Sequence, residues 1–121
     1  MANNIFVTKS FTFAIKVVNT YKYLVENKKE SVLSKQLLRS GTAIGALIRE
    51  AQNAESKVDF VHKLAISQKE CDETIYWLEL LKETCYIDEK QFTALNSEAI
   101  ELLKMIRSSI MTIKQKQKIK Q

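Results

Sequence analysis

The sequence predicts an all-α fold, an antiparallel up-and-down four-helix bundle, and three observations predict it. The 121 residues include no proline, so the commonest helix breaker is absent. Apolar residues recur in alternating steps of four and three along four separate segments, each long enough for a helix. Both glycines, Gly41 and Gly45, fall one turn apart in residues 36–51, QLLRSGTAIGALIREA, which otherwise read as helix. Glycine costs a helix interior up to about 1 kcal/mol against alanine, so the pair demands a reason. Four residues apart they share a face, and bare backbone there lets another helix come close.

The first helix is expected over residues 8–26. Phe6, Ser10, Phe13, Val17, Thr20 and Leu24 form its seam, and Phe11, Ala14, Val18 and Tyr21 widen the stripe. Asn27, Lys28 and Lys29 read as a short polar turn. Ser31 is the expected cap of a second helix over residues 31–55, with Leu37, Gly41, Ile44, Ile48 and Ala51 facing inward. Ser56, followed by Asp59 three residues on, marks the start of a third helix over residues 57–85. Its seam runs Phe60, Leu64, Ser67, Cys71, Thr74, Leu78, Leu81 and Cys85, a heptad pattern whose middle is small and polar. Asp88 and Gln91 repeat the capping signature ahead of a fourth helix over residues 89–113. There Phe92, Leu95, Ala99, Leu102, Ile106, Ser109 and Ile113 keep the rhythm. The lysine-rich tail from Lys114 has lost it and is expected to fray. Residues 1–121 make one domain with short connections and no internal repeat.

Charge is distributed unevenly around a net value of +5. Residues 1–49 carry eight Lys and Arg against two acids, and residues 50–98 carry five against eleven. From Lys114 onward there are four lysines and no acid. That split suits helix pairing within the fold, contact between subunits, or a basic face for a polyanion. No apolar run is long enough to cross a membrane. The N-terminus lacks the pattern of a signal peptide, and two cysteines make no disulfide framework. A cytoplasmic protein with reduced thiols is expected.

Residues 36–81 carry the motifs Arg39-Ser40-Gly41-Thr42, Ile44-Gly45, Glu50-Ala51, Asp59-Phe60 and Glu70, Glu73, Trp77-Leu78, in that order. Together with KSFTFAIKVV before them, they resemble bacterial four-helix-bundle proteins encoded in intervening sequences of large-subunit ribosomal RNA genes. The resemblance covers residues 9–81 and extends to the fourth helix in pattern alone. Ala43, Leu47 and Ser67 depart from the residues common at those positions. The resemblance implies a bundle that assembles as a ring-shaped homopentamer. It also implies kinship with the accessory protein of diversity-generating retroelements, a basic barrel associated with nucleic acid and a reverse transcriptase.

The side chains themselves offer little reactive chemistry. Glu50, Glu70 and Glu73 could line a polar site, but bundle-core metal centres take more histidine than His62 alone can supply. Pairing with Arg39, Arg49 or Lys69 is the expected use of these acids, within the bundle or between subunits. Asp59 is expected at the cap and His62 on the surface. Cys71 and Cys85, about 21 Å apart along one helix, cannot bridge and are expected in the core. Trp77, beside Tyr76, is expected at the core edge or a subunit interface rather than as a base-stacking platform. Gly41, Gly45, Glu50, Glu70, Glu73 and Trp77 are therefore the expected packing and oligomer contacts. A polyanion would meet Lys16, Lys22, Lys28, Lys29, Lys35, Arg39 and Arg49, with Lys114, Lys116, Lys118 and Lys120 of the tail. The function expected is non-enzymatic: a homo-oligomer without cofactor or metal that binds RNA or DNA through phosphates. The alternative is an oligomeric scaffold that docks a protein partner such as a reverse transcriptase.

Overall fold

The structure, a computed structural model, describes residues 4–120, with side chains from residue 5 to residue 116. It contains helices α1 (Asn4–Lys28), α2 (Leu33–Gln52), α3 (Lys57–Glu83) and α4 (Glu89–Lys120). Each helix packs against two neighbours in the order α1–α2–α3–α4–α1, and across the diagonal the Cα atoms of the described residues stay more than 8 Å apart. Neighbours run antiparallel. Lys9 and Lys16 of α1 reach Glu101 and Glu98 of α4, and Arg39 and Glu50 of α2 reach Glu70 and Lys63 of α3.

The expected seams meet on the bundle axis. Phe13, Val17 and Leu24 of α1 are fully buried with Leu37, Ile44 and Ile48 of α2. Leu64, Leu78 and Leu81 of α3 and Leu102 and Ile106 of α4 close the core. Burying one such aliphatic side chain contributes roughly 1.5–3 kcal/mol. At the glycine pair α1 packs directly on the backbone of α2. A Cβ on Gly41 would stand 2.8 Å from both methyls of Val17, and one on Gly45 would stand 3.3 Å from the Ser10 carbonyl oxygen.

The small polar middle of α3 is buried and satisfied. The Ser67 hydroxyl donates to the Ile44 carbonyl at 3.0 Å, and the Cys71 thiol to the Ala99 carbonyl at 3.1 Å. Thr74 and Ser40 place their hydroxyls 3.0 Å apart, each with a carbonyl one turn back in reach. These bonds tie α3 to both neighbours without stranding a donor in the core.

Helix starts follow the sequence at two of three places. The Ser56 hydroxyl accepts from the Asp59 N–H at 3.0 Å. Asp88 and Gln91 form a reciprocal capping box, at 2.7 and 2.9 Å. The start of α2 is different. Ser31 does not cap it; the N-cap position is Val32, which has no accepting side chain. The Glu30 carboxylate caps the helix instead, accepting from the backbone N–H groups of Val32, Leu33 and Ser34 at 3.0, 2.9 and 2.7 Å. Burial disfavours its charge, but those three donors outweigh that and hold its pKa below the ordinary carboxylate value.

Other corrections fall at helix ends. α2 stops at Gln52 rather than residue 55. Cys85 lies outside the core and is exposed, in the left-handed conformation with φ 68°. It ends α3 in a Schellman turn, with Cys85 N–H on the Lys82 carbonyl and Tyr86 N–H on that of Leu81. α4 continues through Lys120 where a frayed tail was expected, because Lys and Gln propagate a helix and no glycine or proline stops it. Its seam also drifts, so Ile110 is buried while Ser109 and Ile113 are half-buried. A straight helix slips about 20° per heptad against a seven-residue repeat. Thr20, Phe60 and Phe92 are half-buried for the same reason or for lying near helix ends.

Candidate interaction surfaces

Glu70 and Glu73 face α2 one turn apart, and Arg39 lies between them and solvent. Its guanidinium Nη1 donates to Glu70 Oε1 at 3.2 Å and Nη2 donates to Glu73, whose Oε1 also accepts from the Trp77 indole N–H at 3.2 Å. Hydrogen bonds from Arg39 and then Trp77 hold the Glu73 carboxyl below its usual range, and the bond to Glu73 raises the Arg39 guanidinium in turn. Glu50 stands apart from this group and pairs with Lys63 at 3.1 Å, not with Arg39, Arg49 or Lys69. The three acids are therefore inter-helix pairs, and no cluster of three or more metal-ligating side chains forms among the described residues.

Phe11 is the clearest departure from the expected core. Its side chain is 52% exposed, beside a groove lined by Ala14, Thr42, Gly45, Ala46 and Arg49. The Arg49 guanidinium lies 4.9 Å from the ring centroid, a cation–π contact on the outer surface. Ile15, one turn further along α1, is 47% exposed. The glycines that admit α1 to α2 thus also leave a shallow apolar face between them. A second aromatic site lies on α3, where exposed Tyr76 meets half-buried Trp77 edge-to-face with centroids 5.0 Å apart.

The basic residues singled out in the sequence fall into three groups. Lys16 pairs with Glu98 at 2.6 Å, Arg39 with Glu70 and Glu73, and Arg49 sits on Phe11. These three are engaged within the subunit. Lys22, Lys28, Lys29 and Lys35 are exposed near the α1–α2 turn and enter no ion pair among the described residues. The α3–α4 turn, with Glu83, Asp88 and Glu89, lies at the same end, and Lys28 shares a groove with Asp88 and Glu89. Lys114 and Lys116 are exposed on α4, while the side chains of Lys118 and Lys120 lie outside the described residues. Part of the charge split therefore joins one helix to another, through Lys16–Glu98 and through Arg39 with Glu70 and Glu73. His62 and Asp59 lie as expected, on the surface and at the α3 cap.

Known proteins share both this sequence pattern and this fold. Residues 2–108 match the family described as 23S rRNA-intervening sequence protein. Among solved structures, a protein of unknown function from the S23 ribosomal protein family of Bacteroides thetaiotaomicron superposes with a TM-score of 0.90 at 50% identity. The similarity covers 92% of this chain and 99% of that one. No curated protein matches.

Proposed function

The chain belongs to the 23S rRNA-intervening sequence protein family, and from that premise we propose that it acts as a non-catalytic, self-assembling bundle whose assembled form holds RNA or DNA through charge. The uncovered apolar face of α1 and α2 carries the self-assembly. Phe11, Ile15 and the groove beside Gly45 expose contiguous apolar surface, and Arg49 over Phe11 adds a residue type enriched in protein interfaces. A second copy of the chain is the occupant this reading assigns to that face. Arg39 offsets one of the two charges of Glu70 and Glu73 and ties α2 to α3, which fits a structural role better than a reactive one.

Charge supplies the second half of the reading. A single subunit at +5 is only modestly basic, but a ring of five, the number the family resemblance implies, multiplies that field. Phosphate contacts of this kind are salt-dependent and carry no base readout. The alternative, a scaffold that docks a protein partner, draws on the Tyr76–Trp77 pair, since exposed aromatics beside a polar rim are common anchors.

A Phe11→Glu substitution tests the assembly. Sedimentation should show the natural chain well above its 14.0 kDa subunit mass and the variant as a folded monomer. A natural chain that sediments as a monomer would remove the basis of this reading.

A further inference from the structure

Past Glu101, α4 carries no acid, while Lys104, Arg107, Lys114 and Lys116 are all exposed. None of these four enters an ion pair among the described residues. Steps of three or four residues place Ile100, Lys104, Arg107, Met111 and Lys114 on one outward stripe. From Lys104 to Lys114 the stripe runs about 15 Å along the helix. Glu98 and Glu101, the last acids before it, are taken up by Lys16 and Lys9 on the α1 side. We infer that this outer face of the C-terminal half of α4 is where the phosphate backbone of a nucleic acid lies.

The inference rests on the polyanion reading above and assigns that reading a place. The corner at the α1–α2 turn is the rival site, and it is mixed in sign. Lys22, Lys28, Lys29 and Lys35 share their end of the bundle with Glu83, Asp88 and Glu89, and Lys82 pairs there with Glu89 at 3.6 Å. A phosphate chain approaching that end meets both charges. Along α4 it meets cations in series. Lys116 extends the basic zone beside Lys57, where the two line one groove with Phe60 and Ile113. Asp72 of α3 is the opposing charge, close enough to be felt with Arg107 at the Cys71 thiol. Asp72 forms no ion pair with Lys104, Arg107, Lys114 or Lys116 among the described residues. Lysine and arginine contacts to phosphate carry no base readout and release counterions, so binding is expected to be indifferent to sequence and steep in salt.

The test uses the full chain and a labelled mixed-sequence RNA of about 20 nucleotides, read by anisotropy near 0.1 M salt. One variant carries Lys104→Glu, Arg107→Glu and Lys114→Glu; the other carries Lys22→Glu, Lys28→Glu, Lys29→Glu and Lys35→Glu. All seven positions are exposed; six lie in helices, where Glu is a good helix former, and Lys29 lies in the turn after α1, so both variants should keep their circular dichroism. The α4 variant should bind on the order of 100-fold more weakly, with a salt slope shallower by about 2, while the corner variant changes by less than about threefold. Loss in the corner variant with retention in the α4 variant overturns this placement and leaves the polyanion reading standing. No RNA binding by the natural chain overturns both. Binding of labelled polyglutamate as tight as that of RNA assigns the face to an acidic protein and overturns the inference.

Discussion

At the residue scale, the glycines and cysteines show how much one side chain decides. Gly41 has no room for a methyl, because the Val17 methyls that a Cβ would meet at 2.8 Å belong to a short, fully buried side chain. Alanine there gains up to about 1 kcal/mol of helix propensity but overpacks the α1–α2 contact, for a net loss of about 1–2 kcal/mol in urea unfolding. Val17→Ala in the same chain should recover part of that loss, a coupling that independent sites would not show. The cysteines should differ just as plainly. Burial, with Asp72 nearby, pushes the Cys71 thiol up to about 12 despite Arg107, whereas Cys85 is exposed. An alkylating reagent at neutral pH should therefore modify one thiol per native chain, at Cys85, and reach Cys71 only on unfolding.

At the element scale, the four helices were legible because their seams repeat and their breaks are capped. Ser56–Asp59 and Asp88–Gln91 announced α3 and α4 from sequence, and both caps form. Ser31 misled because serine is the commoner cap, while a glutamate reaching forward across three N–H groups has no fixed signature. Glu30→Gln should destabilise the bundle by about 1–2 kcal/mol near neutral pH. The pH dependence follows from the direction of the Glu30 shift. Its folded pKa lies below the ordinary 4.5, so the contribution of the charge is complete above that value and is lost as pH falls through the folded pKa. Unfolding measured at neutral and strongly acidic pH should show the natural chain and the Glu30→Gln variant converging in acid. The α4 tail was illegible for a different reason. Its seam fades, yet nothing in Lys-Gln repeats ends a helix.

At the scale of the whole molecule, the charge split was visible in sequence but its use was not. Arg39 was among the partners expected for Glu70 and Glu73 and pairs with both, but spacing along the chain could not reveal that Lys16 faces Glu98. Phe11 was equally hidden. Its apolar character widened the expected core stripe, but it lies one residue off the buried Ser10 and its ring is exposed. Lys104 and Arg107 could have been found by asking where acids stop, since none follows Glu101. The central claim is thus assembly through α1 and α2, with charge acting on the assembled form. Size-exclusion chromatography with light scattering, recorded at 260 and 280 nm before and after nuclease, tests it most directly. A mass of several subunits carrying nuclease-sensitive absorbance at 260 nm is the predicted result. A single species of 14.0 kDa with no such absorbance would contradict it.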